Sequence, residues 1–115
     1  MTEMNEMQAR VDRYISQFKD GYFSPLVQLA RLSEEVGELA REINHVYGEK
    51  QKKPSEAEKP IEEEIADILF VLISLSNSLD IDLDEAFDLT MKKFESRDHF
   101  RFERKDGQTE SDATS

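Results

Sequence analysis

Apolar residues recur along this chain at steps of three and four, and no segment shows the strict alternation of a half-buried strand. The spacing predicts helices throughout. The first carries Met4, Met7, Val11, Tyr14, Ile15 and Phe18, with Gly21 as its stop. Ser24-Pro25 supplies an N-cap and a first-turn proline for the second, whose seam is Leu29, Leu32, Val36, Leu39, Ile43 and Val46 and whose end falls near Gly48. Glu49 to Lys59 has almost no apolar content and reads as a locally basic loop containing Lys50, Lys52, Lys53 and Lys59. Pro60 then opens a third helix as a first-turn residue. Its seam is Ile61, Ile65, Ile68, Leu72, Leu75 and Leu79, while Leu69, Phe70, Val71 and Ile73 fill the other faces. A helix that is apolar all round must be covered on all sides. Three partner helices from one short chain can hardly do that, so self-association is expected. Asp82-Leu83-Asp84-Glu85 has the pattern of a capping box, with Asp82 as N-cap and Glu85 at N3. The fourth helix that follows places Lys92, Lys93 and Arg97 where the helix dipole favours cations. From Glu103 onward the sequence is polar and aperiodic. The expectation is one all-α, four-helix bundle-type domain over residues 1–102, assembling as an oligomer, with a disordered tail over 103–115.

Composition narrows what such a bundle can do. A formal net charge of -11 argues against a nucleic-acid backbone or an anionic membrane as partner, since both want a basic face. Cysteine is absent, which excludes disulfides, thiolate zinc sites and thiol redox chemistry. With only His45 and His99, a nitrogen-rich transition-metal site is disfavoured, whereas oxygen ligands abound; hard cations such as Mg²⁺, Mn²⁺ or Ca²⁺ remain. The N-terminal residues lack a signal peptide's basic and apolar regions, and the longest apolar stretch is broken by Ser74 and Ser76. A soluble cytoplasmic protein is the expectation.

The acids are not evenly spread. Glu34-Glu35-Val36-Gly37-Glu38 and Glu64-Ile65-Ala66-Asp67 form two clusters, each followed at once by apolar helix sequence. Residues three and four apart are neighbours on a helix, so Glu34 and Glu35 lie beside Glu38, and Glu64 beside Asp67. A charge drawn into apolar surroundings is expensive unless it is paired or coordinates a metal. Each acid precedes a seam residue, so antiparallel packing of the two seams would bring the acids to one border. Four acids so placed suit a dication. Glu42, Glu62 and Glu63 read instead as a solvated face, and Gly37, which costs about 1 kcal/mol in a helix relative to Ala, as a point of close approach.

The same residues carry a family resemblance. Glu34-Glu35-Val36-Gly37-Glu38 followed by Glu64-Ile65-Ala66-Asp67 after 25 intervening residues resembles the EExxE…ExxD signature of the MazG-like nucleotide pyrophosphohydrolases. Leu29-Ala30-Arg31-Leu32, Ile68-Leu69-Phe70, the Asp82 helix start and Lys93-Phe94-Glu95-Ser96-Arg97 support the match, which runs from about Ser24 to Arg97. Met91 stands where relatives often carry Asn, Ala66 where they often carry Gly, and no Trp is present for base stacking.

The resemblance implies a Mg²⁺-dependent enzyme, with Mn²⁺ as an alternative ion. It would cleave a nucleoside triphosphate to the monophosphate and pyrophosphate, as a helical homodimer or dimer of dimers. Glu35, Glu38, Glu64 and Asp67 would be metal ligands, and Lys93 and Arg97 would contact phosphates. Glu34, on the same face as Glu38, is the candidate for orienting or deprotonating the attacking water. The competing readings are a phosphoribosyl-ATP pyrophosphohydrolase-like enzyme and a non-catalytic acidic helical module that binds a metal or a partner. No Gly-centred EF-hand loop supports a calcium sensor.

Overall fold

The computed structural model describes residues 3–48 and 60–113, and every regular element among them is helical. They are α1 (Glu3–Ile15), α2 (Pro25–Tyr47), α3 (Ile61–Ser78), α4 (Leu83–Ser96) and the single turn α5 (Glu110–Ala113). The basic loop expected over 49–59 lies outside the described residues. The chain divides into two compact units, Met1–Leu83 and Asp84–Ser115.

Local signals set the helix ends. The Ser24 hydroxyl accepts from the Val27 amide at 3.3 Å, and Pro25 takes the first turn, where its missing N–H costs nothing. Gly21, at φ +63°, makes the turn between α1 and α2. α2 stops at Gly48, whose amide donates to the Asn44 carbonyl at 2.9 Å. Pro60 is the N-cap of α3 and not its first residue; its carbonyl accepts from the Glu63 and Glu64 amides. After α3, Asp80 takes the left-handed conformation at φ 55°, and the Ile81 amide returns to the Ser76 carbonyl at 2.8 Å, closing the helix end. α4 begins directly after Asp82, whose carboxylate accepts from the Asn5 amide at 3.0 Å.

In the first unit α3 packs against α2 and α1. Contacts between residues 28 and 74, and between 35 and 64, give α2 and α3 opposite directions. Tyr14 against Phe70 and Gln8 against Asn77 do the same for α1 and α3.

The interface between α2 and α3 carries a polar row, which corrects part of the packing expected from the pattern. Gln28, 3% exposed, donates to the Phe23 carbonyl at 2.7 Å and the Ser78 hydroxyl at 3.1 Å, and accepts from the Ser74 hydroxyl at 2.7 Å. Val71, Glu64 and Glu42 complete the inward row. Of the two apolar seams, Leu29, Val36, Ile43 and Val46 on α2 and Ile65, Leu72 and Leu79 on α3 form exposed stripes, joined by Leu69, while Leu32, Leu39, Ile61, Ile68 and Leu75 are half-buried. Each stripe follows the inward-facing residues by one position, about 100° around the helix. On antiparallel helices that rotation carries both stripes to the same side of the pair. Phe70 and Asn77, one position before the inward row, point to the other side, where α1 lies. Among the described residues the buried apolar side chains are only Ile15, Val71 and Ile73. A Cβ at Gly37 would have no heavy atom of the described residues within 4 Å, so no close approach among them accounts for this glycine.

The buried Gln28 network yields a direct expectation. Gln28→Ala strands the Ser74 hydroxyl and the Phe23 carbonyl inside the helix pair and should cost roughly 1–3 kcal/mol, read as a lower denaturation midpoint.

In the second unit, α4 carries Asp84 and Glu85 in its first turn and Lys93 in its last, as dipole electrostatics favours. Beyond Phe102, Arg104 holds a turn through Asp106 at 3.0 Å, and α5 follows.

Candidate active site

The antiparallel register of α2 and α3 sets the acids opposite one another. Glu35 on α2 and Glu64 and Asp67 on α3 each offer a carboxylate oxygen, and these oxygens lie within 4.8 Å of one another. Glu64 is 1% exposed, while Glu35 and Asp67 are half-buried. Glu64 is inward because it occupies the row that continues to Val71 and Ser74, so the polar interface delivers it to the site. Three carboxylates this close, one of them out of water, concentrate negative charge at one point of the helix pair.

The remaining acids of the two motifs sit apart from this trio. Glu38 is half-buried one turn further along α2, outside the 4.8 Å group, and Glu34 is exposed. Glu62 and Glu63 are exposed as expected, but Glu42 is not a solvated residue. It is 6% exposed, and its carboxylate lies 3.9 Å from Nδ1 of His45, whose side chain is also buried. The pattern hid this because Glu42 adjoins the seam residue Ile43, which is exposed. Gln28, Ser74 and Ser78 were missed for a related reason. Their hydrogen bonds join residues 46 and 50 positions apart, a pairing no local spacing announces.

The donor set is all oxygen, the chemistry of Mg²⁺ and Mn²⁺ rather than of zinc or copper. The residues present therefore fit the divalent ion that the motif implies.

In the second unit, Lys93 lies 5.2 Å over the Phe94 ring, and Arg97 Nε donates to Asp98 at 3.1 Å. That hydrogen bond holds the Asp98 carboxyl below its ordinary range and raises Arg97. Both basic side chains are exposed.

On the α1 side of the helix pair, one turn beyond the acids, Tyr14, Tyr22, Phe23, Arg31, Phe70 and Ser74 border a cavity of about 440 Å³. Tyr22 is fixed there: its hydroxyl donates to Asp12 at 2.7 Å and accepts from the Asn77 amide at 3.1 Å. Burial, then the bond to Asp12, raises the Tyr22 phenol above its usual value.

The fold is all-helical, with opposed acidic turns on two antiparallel helices. The model of the MazG nucleotide pyrophosphohydrolase domain matches residues 23–102, and the chain belongs to that family. It is thus a pyrophosphohydrolase. It is 63% identical over 103 residues to the protein YpjD of Bacillus subtilis strain 168, covering 90% of this chain and 93% of that one. The crystal structure of YpjD, described there as a candidate pyrophosphatase, superposes with a TM-score of 0.73 at 64% identity, covering 82% of this chain and 96% of that chain. A Bacillus-conserved MazG protein, described as a nucleotide pyrophosphohydrolase, superposes with a TM-score of 0.70 at 55% identity over 82% of this chain and 90% of that chain. No helix among the described residues is long and apolar enough to cross a membrane.

Proposed function

We propose that the protein hydrolyses nucleoside triphosphates, ribo or deoxy, to the monophosphate and pyrophosphate with Mg²⁺, Mn²⁺ serving as a substitute. The observation that carries this reading is the convergence of Glu35, Glu64 and Asp67 oxygens within 4.8 Å in a chain of this family. These three carboxylates, with Glu38 from the next turn of α2, would hold the ion. When bound, the ion supplies Lewis-acid polarisation of a phosphoryl oxygen and acidifies water. The chain's own contribution is positional. Burial of Glu64 in the polar interface fixes the direction of its carboxylate, and the rigid pair of helices fixes Glu35 against Asp67. Glu34, exposed beside them on α2, orients the attacking water and takes its proton. Lys93 and Arg97 neutralise phosphate charge, which an acidic chain otherwise repels.

The unit of function in this reading is an oligomer of identical chains. The exposed stripes Leu29, Val36, Ile43 and Val46, and Ile65, Leu69, Leu72 and Leu79, form one apolar side of the α2/α3 pair, opposite α1. A second copy laid on that side completes a four-helix core. Nucleic acid and membrane have no part in it, and the cytoplasm is its compartment.

The test is a panel of nucleoside triphosphates with Mg²⁺, assayed for pyrophosphate against orthophosphate. Pyrophosphate as the sole phosphate product supports the reading. Orthophosphate release, or activity on phosphoribosyl-ATP alone, would replace it with a different hydrolase.

A further inference from the structure

The geometry points to Arg31 as the residue that selects the nucleobase, with the cavity beside it taking an oxopurine such as guanine or hypoxanthine. This rests on the pyrophosphohydrolase reading and names the base that the same site prefers. Arg31 stands one helical turn before Glu35 on α2, and Phe70 stands one turn after Asp67 on α3. Both therefore lie on the cavity side of the acid trio, where a nucleoside falls if its phosphates lie at the carboxylates. The walls contributed by Tyr14, Tyr22, Phe23 and Phe70 offer aromatic faces for a flat base.

Charge makes the site selective. The guanidinium of Arg31 lies 5.6 Å over the Phe70 ring, and among the described residues no carboxylate pairs with it. Arg31 lines the cavity, and no acidic residue lines it with Arg31. Guanine and hypoxanthine present two acceptors side by side, O6 and N7, which an Arg fork bonds together. Adenine replaces O6 with an N6 donor, cytosine presents an N4 donor, and thymine offers a single O4 acceptor. Thus dGTP and dITP rank first, dTTP next, and dATP and dCTP last. Tyr22, tied to Asp12 and Asn77, keeps the opposite wall in place.

The experiment compares kcat/KM for dGTP, dITP, 7-deaza-dGTP, dATP, dCTP and dTTP in the wild type, Arg31→Ala and Arg31→Lys proteins. Alongside, it measures dGMP and dAMP binding without divalent ion. The wild type should favour dGTP and dITP over dATP by roughly 5- to 150-fold, the worth of one bidentate pair. The 7-deaza analogue should lose part of that advantage. Arg31→Ala should erase the ratio, and Arg31→Lys, a point charge without a fork, should not restore it. A uniform fall across all bases would mean that Arg31 touches phosphate, and would overturn the inference. So would a wild type indifferent to the base. If no nucleotide releases pyrophosphate yet dGMP binds in preference to dAMP only when Arg31 is present, the enzymatic reading falls and the base site stands. If dGMP shows no such preference either, both fall.

Discussion

Glu64→Gln abolishes most pyrophosphate release and most of the stability that Mg²⁺ adds. The two effects have one cause. Glutamine keeps the shape of Glu64 and removes its charge, so the trio with Glu35 and Asp67 loses one anionic oxygen donor. The wild type gains stability as the logarithm of ion concentration over Kd, and the variant, short of one charged ligand, gains much less. Turnover should fall roughly 10²- to 10³-fold, the scale on which one preorganised electrostatic group acts. Thermal melts with and without Mg²⁺, beside the pyrophosphate assay, read both. A variant equally stabilised by Mg²⁺ would place the ion elsewhere.

Ile43→Asp combined with Leu72→Asp should convert the proposed oligomer to a monomer. Both side chains sit in the exposed apolar stripes, on the side of the α2/α3 pair away from α1. Buried in a shared core, each aspartate would cost several kcal/mol, so dissociation should rise at least about 100-fold. The wild type should sediment at no less than twice its 13.4 kDa chain mass, with a Tm that rises with protein concentration. The double variant should sediment at the chain mass and melt independently of concentration. A monomeric wild type would remove the oligomer from the account and leave the two stripes without an occupant.

The helices were legible because their periodicity is local: the Ser24-Pro25 start, the Gly21 turn and the stop at Gly48 follow from residues a few positions apart. Which face of α2 meets α3 was not legible. An apolar stripe such as Val36 and Ile43 reads the same whether it covers its own chain or another copy. Intrachain packing instead follows Gln28 and Ser74, whose hydrogen bond spans 46 residues. The same inversion explains Glu42, which looks solvated beside Ile43 yet lies in the interface near His45. The approach of Glu35 to Glu64 and Asp67 could be anticipated in part, because motif spacing on antiparallel helices sets these residues at one level along the helix axes. The exact trio could not, since the separation of Glu38 from it depends on how far α2 is rotated about its own axis. The Arg31 cavity depends on α1 crossing at Phe70, a tertiary fact with no trace in spacing.

The most direct test of the central claim is a crystal structure of the protein grown with Mn²⁺ in place of Mg²⁺, with the ion located by its anomalous scattering. The account predicts a peak bounded by carboxylate oxygens of Glu35, Glu64 and Asp67, with Glu38 approaching from the next turn of α2. A protein that releases pyrophosphate in the same buffer, but shows its anomalous peak away from these three residues, would contradict it.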